Sequence, residues 1–103
     1  MEKKVELELP KKYRIGIMVT IPMVNAEILE KYRETVKLLC SFMGGVVGNK
    51  INEEDVCNNF ECDGKAIVSA PLIHSIAESK QKALNDAFGG YGIPIQAFLQ
   101  MEE

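Results

Sequence analysis

Tyr13-Arg14-Ile15-Gly16-Ile17-Met18-Val19-Thr20-Ile21 decides how this chain is read. Every odd position is apolar, while the even ones carry Arg14, Gly16, Met18 and Thr20. A repeat of two describes a β-strand, because successive side chains point to opposite faces of a sheet and only one face is buried. The same phase runs upstream through Val5, Leu7 and Leu9, with Glu6 and Glu8 between them; it survives Pro10, and only Lys11 breaks the apolar set. Two readings fit that upstream part. It is either an extended N-terminal segment leading into the strand, or one arm of a hairpin whose loop is Pro10-Lys11-Lys12. The hairpin lacks the glycine that a three-residue loop usually needs, so the extended segment is favoured.

Downstream, Pro22 ends the strand and Asn25 offers an N-cap oxygen to the first free amides of a helix. Glu27 suits the positive end of that helix. Ile28, Tyr32, Val36, Leu39 and Met43 recur at helical spacing, with Glu27 and Lys31 on the outer face, and Gly44-Gly45 predicts a stop. Val46 to Ile51 reads as a short strand and Glu53-Glu54-Asp55 as an exposed turn, while Val56 to Cys62 fits neither pattern cleanly. Asp63-Gly64 gives a hairpin signal before the strand-like Lys65-Ala66-Ile67-Val68-Ser69. Pro71 suits the first turn of a second helix, whose stripe is Ile73, Ile76, Ala77, Ala83, Leu84, Ala87 and Phe88. Gly89-Gly90 closes it, and alternation over Ile93, Ile95, Ala97 and Leu99 predicts a last strand.

The order strand–helix–strand–strand–helix–strand is the ferredoxin-like split βαβ pattern (βαββαβ). It predicts one α+β domain over 1–103, an antiparallel sheet with two helices on one face, and room for an extra N-terminal strand. The other face would carry Arg14, Gly16, Met18 and Thr20 from the first strand and Gln96, Phe98 and Gln100 from the last. That mixture is less charged than a solvated sheet and suits a surface that meets a ligand or another subunit.

Composition narrows the function classes. The chain has 103 residues, 47% of them apolar, with a net charge of −3. A negative balance, with Lys11, Lys12 and Arg14 as its only basic cluster, argues against nucleic acid, where phosphate contacts carry most affinity. The uncharged stretch from Ile15 to Ala26 is too short to span a bilayer, so no membrane partner is expected. Three cysteines (Cys40, Cys57 and Cys62) without a secretory signal predict reduced thiols and a cytoplasmic location.

No chemical motif is complete. Cys40, Cys57, Cys62 and His74 have the residue types of a zinc site but not its spacing. Asn59, Glu61, Asp63 and Gly64 match half of a calcium loop whose closing acid would fall on Ala70. Gly44 to Lys50 resembles a phosphate loop in composition, but it follows a helix where a phosphate loop follows a strand. Neither a metal nor any other cofactor is therefore expected. Arg14, Met18, His74, Tyr91 and Phe98 are the candidate ligand-binding residues, Tyr91 because it stands among Gly89, Gly90 and Gly92. The functional expectation is a self-associating, non-catalytic module that joins copies through its open sheet face or edge strands and binds a small molecule or protein. The alternative is a cofactor-independent enzyme of the dimeric α+β barrel type, with His74, Tyr91, Arg14 and Asp86 moving protons or anchoring substrate.

Overall fold

The computed structural model describes residues 11–22 and 25–102, so the alternation at Val5–Leu9 and its choice between segment and hairpin lie outside the described residues. The elements in chain order are β1 (Lys12–Val19), α1 (Ala26–Val47), α2 (Glu53–Asp63), β2 (Lys65–Ile67), β3 (Leu72–Ile73), α3 (His74–Gly90) and β4 (Ile95–Glu102). They form an α+β domain of the expected ferredoxin-like kind, with a four-stranded antiparallel sheet and helices packed on one face.

The stretch that alternates most cleanly lies at the centre of that sheet. β4 pairs with β1 along its whole length, from Lys12↔Glu102 to Val19↔Ile95. The other side of β1 is shared: β2 pairs with Gly16–Met18, and β3 with Lys12–Tyr13. β2 and β3 are thus two pieces of one broken edge strand. At the break, Val68 N–H donates to the Ile15 carbonyl at 2.8 Å, and Ile15 N–H donates to the Ser69 hydroxyl at 2.8 Å. That hydroxyl donates in turn to the Ala70 carbonyl. Ile15 is fully buried, so a side-chain oxygen replaces the ladder acceptor that the break removes.

Chain direction explains the topology. Two helices separate β1 from β2, so the chain returns antiparallel to β1. One helix, α3, separates β3 from β4, so β4 runs parallel to the broken strand with β1 inserted between them. That is a βαβ unit split by a third strand.

Five local expectations are corrected. α1 does not stop at Gly44-Gly45. It runs on to Val47, and Gly48 caps it. Val36, Cys40, Met43 and Val47 continue one buried stripe, and burying the last of them outweighs the helix cost of about 1 kcal/mol per glycine. The strand expected over Val46–Ile51 is consequently helix end and loop. The acidic run is the first turn of α2, with the Asn52 side chain accepting from Asp55 N–H at 3.1 Å and Val56, Cys57 and Phe60 buried. Asp63-Gly64 is the end of that helix and not a hairpin. Gly64 adopts φ 73°, a left-handed conformation open to glycine, and its N–H bonds the Phe60 carbonyl at 2.8 Å. Finally, α3 begins at His74 and not at Pro71, because Leu72 and Ile73 are first drawn into the sheet opposite Tyr13 and Lys12.

The core is one cluster. Ile15, Ile17 and Val19 project from β1 onto Val36 and Met43 of α1, Phe60 of α2, and Leu84 and Phe88 of α3. The odd positions of β1 therefore meet the helices as their periodicity predicts, and Asn25 caps α1 by accepting from Ile28 N–H at 2.9 Å. Met18, Gln96 and Gln100 on the opposite face stay exposed. Among the described residues, no helix is long and apolar enough to cross a membrane.

Candidate functional site

On the open face, side chains fall into rows across the strands. Gly16 lies between Phe98 of β4 and Ile67 of β2, Met18 lies between Gln96 and Lys65, and Arg14 pairs with Gln100. The middle row sets the surface. A β-carbon placed on Gly16 would come within 2.4 Å of the Phe98 ring, so the ring rests on the bare backbone of β1. Glycine is needed here for space, since Gly16 has no positive φ. The ring lies over Gly16, on the way to Ile67, and an aromatic laid over a strand glycine is a recurrent way of packing a sheet.

Beside that ring is a depression of about 200 Å³. Its wall is the end of α2, through Asn59 and Asp63, and its floor is Ile67 and Phe98, with Lys65 and Gln100 at the sides. A shallower groove of about 400 Å³ continues from it along the β2–β3 edge, sharing Asn59 and Ile67 and reaching Arg14, Asp55 and Ser69. Arg14 is held there by an Nε contact of 2.5 Å to Glu102, a half-exposed pair whose hydrogen bond raises the guanidinium pKa above its ordinary value. This pair fixes orientation on the groove wall. An apolar floor with a carboxylate, an ammonium and amides around it can seat one apolar side chain and hydrogen-bond the polar groups attached to it.

The sequence-predicted residues divide into separate places. Arg14, Met18 and Phe98 share the open face. His74 begins α3 and stacks on Tyr13, ring centroids 4.8 Å apart and tilted by 60°. Tyr91 caps the other end of α3, which has 17 residues and so spans about 25 Å, and its side chain is 83% exposed. Asp86 pairs with Lys82 at 3.1 Å on the outer surface of that helix. The structure does not bring His74, Tyr91, Arg14 and Asp86 to one point. Asn59, Asp63, Lys65 and Ile67 carry no sequence sign of a shared site, because Asp63-Gly64 reads as a hairpin. As a helix end it puts one turn of α2 beside β2.

The thiols also separate. Cys40 and Cys57 are buried, and burial pushes Cys40 up to about 11 and raises Cys57 as well. Cys62 is exposed. A thiol reagent at pH 8 is expected to label Cys62 at least about 100-fold faster than Cys40 or Cys57. Folded Cys40 keeps its proton to about 11, while an unfolded thiol releases it near 9.0. The unfolded chain then binds fewer protons, so stability falls as pH rises through that window. Urea unfolding at pH 8 and pH 10, with Cys40→Ala as reference, measures the loss. Equal pH dependence in the two proteins would contradict it. His74 lies apart from these cysteines, and among the described residues no group of three or more His, Cys, Asp or Glu is placed to hold a metal ion.

No family model matches the chain, and no curated protein matches it in sequence. Among solved structures it is similar to Agrobacterium tumefaciens ClpS2 bound to L-phenylalaninamide, with a TM-score of 0.61 and 22% identity over 91% of this chain and 100% of that one. That likeness is one of fold.

Proposed function

We propose that this chain is a self-associating, non-catalytic binding module that takes a short peptide or amino-acid derivative through one apolar side chain. The observation that carries the reading is the depression where Ile67 and the Phe98 ring form an apolar floor beneath Asn59 and Asp63. A carboxylate next to an apolar floor suits a ligand that joins an apolar side chain to an ammonium or amide. The similar ClpS2 structure holds a ligand of that chemistry. The free thiols Cys40, Cys57 and Cys62 support a reducing, cytoplasmic setting.

Titration of the 15N-labelled chain with L-phenylalaninamide tests the reading. The amides of Lys65–Ile67 and Phe98–Gln100 are expected to shift, and Phe98→Ala to weaken binding by about tenfold or more. Glycinamide, which lacks the side chain, is expected to leave those amides unmoved. No shift with up to about 10 mM L-phenylalaninamide would overturn the proposed site.

A further inference from the structure

The outer edge of β4 is closed at one place and open at the next. Ala97 N–H donates to Asn85 Oδ1 at 2.7 Å, and the Ala97 carbonyl accepts from Asn85 Nδ2 at 3.3 Å and Gln81 Nε2 at 3.1 Å. Two side chains of α3 thus occupy the backbone positions that a neighbouring strand would use. Ile95 N–H is also satisfied, by the Ile93 carbonyl at 2.8 Å. Alternation along a paired strand puts the backbone groups of even-numbered residues toward β1 and of odd-numbered ones outward, as Thr20 N–H to the Pro94 carbonyl and the Ala97 bonds show. The next outward residues are Leu99 and Met101, and among the described residues neither has a partner on that side. α3 starts directly after β3 and bonds the β4 edge at Gln81 and Asn85, so among the described residues no side chain of α3 bonds the edge at Leu99 or Met101.

We infer that the chain forms a two-fold dimer by antiparallel pairing of β4 with β4 of a second copy, centred on Gln100. The inference rests on the self-association part of the reading above and not on its ligand. Centring at Gln100 sets Leu99 opposite Met101 of the second copy and Met101 opposite its Leu99, so both pairs exchange N–H and C=O in both directions. Centring on Leu99 would bring Met101 against Ala97, whose backbone is already bonded. The Gln100 register is the one that uses both residues left without an outward partner among the described residues, and this self-complementarity selects a second copy as the occupant. On the helix side it covers Met101, 45% exposed in the single chain, with Leu99 of the second copy. On the open face it sets Phe98 opposite Glu102 and Gln100 opposite itself, with no like charges facing each other.

Cross-linking tests the register. Residues at a non-hydrogen-bonded antiparallel position have α-carbons about 4.5 Å apart, inside the range a disulfide spans. In a Cys62→Ser background, Gln100→Cys is expected to form a covalent dimer at least about tenfold faster under mild oxidation than Leu38→Cys, a control position 79% exposed on α1. Met101→Pro removes an outward N–H while leaving the β1 ladder intact, so it is expected to keep the native circular dichroism and sediment as a monomer. Cross-linking no faster than the control, or a Met101→Pro protein that stays dimeric, would overturn the interface. If the unmodified chain then still sediments as a dimer, self-association stands through another surface. A monomer at about 1 mM would overturn both.

Discussion

Replacing Phe60 by Ala is expected to lower the stability of the chain by about 3–5 kcal/mol, the range for emptying a buried aromatic site. Phe60 is 0% exposed and is the largest of the three buried side chains of α2, beside Val56 and Cys57. The rest of that helix is acids, amides and the exposed Cys62. It therefore has little other apolar surface to hold it, and Arg33 to Glu61 at 2.7 Å, a partly exposed ion pair, is a weak substitute. Urea unfolding measures the loss. Hydrogen exchange at Lys65–Ile67 should accelerate with it, since β2 begins directly after the α2 cap. A loss below about 1 kcal/mol would mean that the ring does not anchor the helix.

Gly16→Val is expected to cost about 1–3 kcal/mol, as inserting methyl groups into filled space usually does. The side chain would meet the Phe98 ring at a distance where something must move, and the ring is the movable partner. Phe98→Ala should therefore relieve part of the penalty. The two substitutions together should cost about 1 kcal/mol less than their separate costs added, and they should share a defect in L-phenylalaninamide binding. Additive costs would show that the ring does not rest on Gly16 in solution.

These two positions also show where sequence was informative. Ile15, Ile17 and Val19 declare their buried face because a strand has a period of two and one face meets the core. Asn25 declares a helix start because its side chain satisfies a free amide. α2 was harder. Asn52 followed by Glu53, Glu54 and Asp55 is a cap with acids at the positive helix end, but the same letters describe an exposed turn. Only three buried side chains distinguish the two, and Phe60 makes its contacts with residues distant in sequence. Gly64 is similarly two-sided, serving hairpins and helix ends alike. The site inherits that ambiguity: parity alone sets Arg14, Met18 and Phe98 on one face, whereas Asn59 and Asp63 join them only because α2 stands beside β2. Asn85 gave no signal at all, because a polar residue on a helix carries no mark of the strand edge it covers.

The interrupted partner of β1 also limits how far copies can add. A flat sheet with two long free margins can polymerise into fibres. Here the margin formed by residues 65–73 is broken after Ile67, where Ser69 takes over a ladder bond, and Pro71 has no N–H to offer. Growth through the proposed β4 pairing would then be met by a margin unable to template another strand, so it would end at a closed pair and not run on into fibrils.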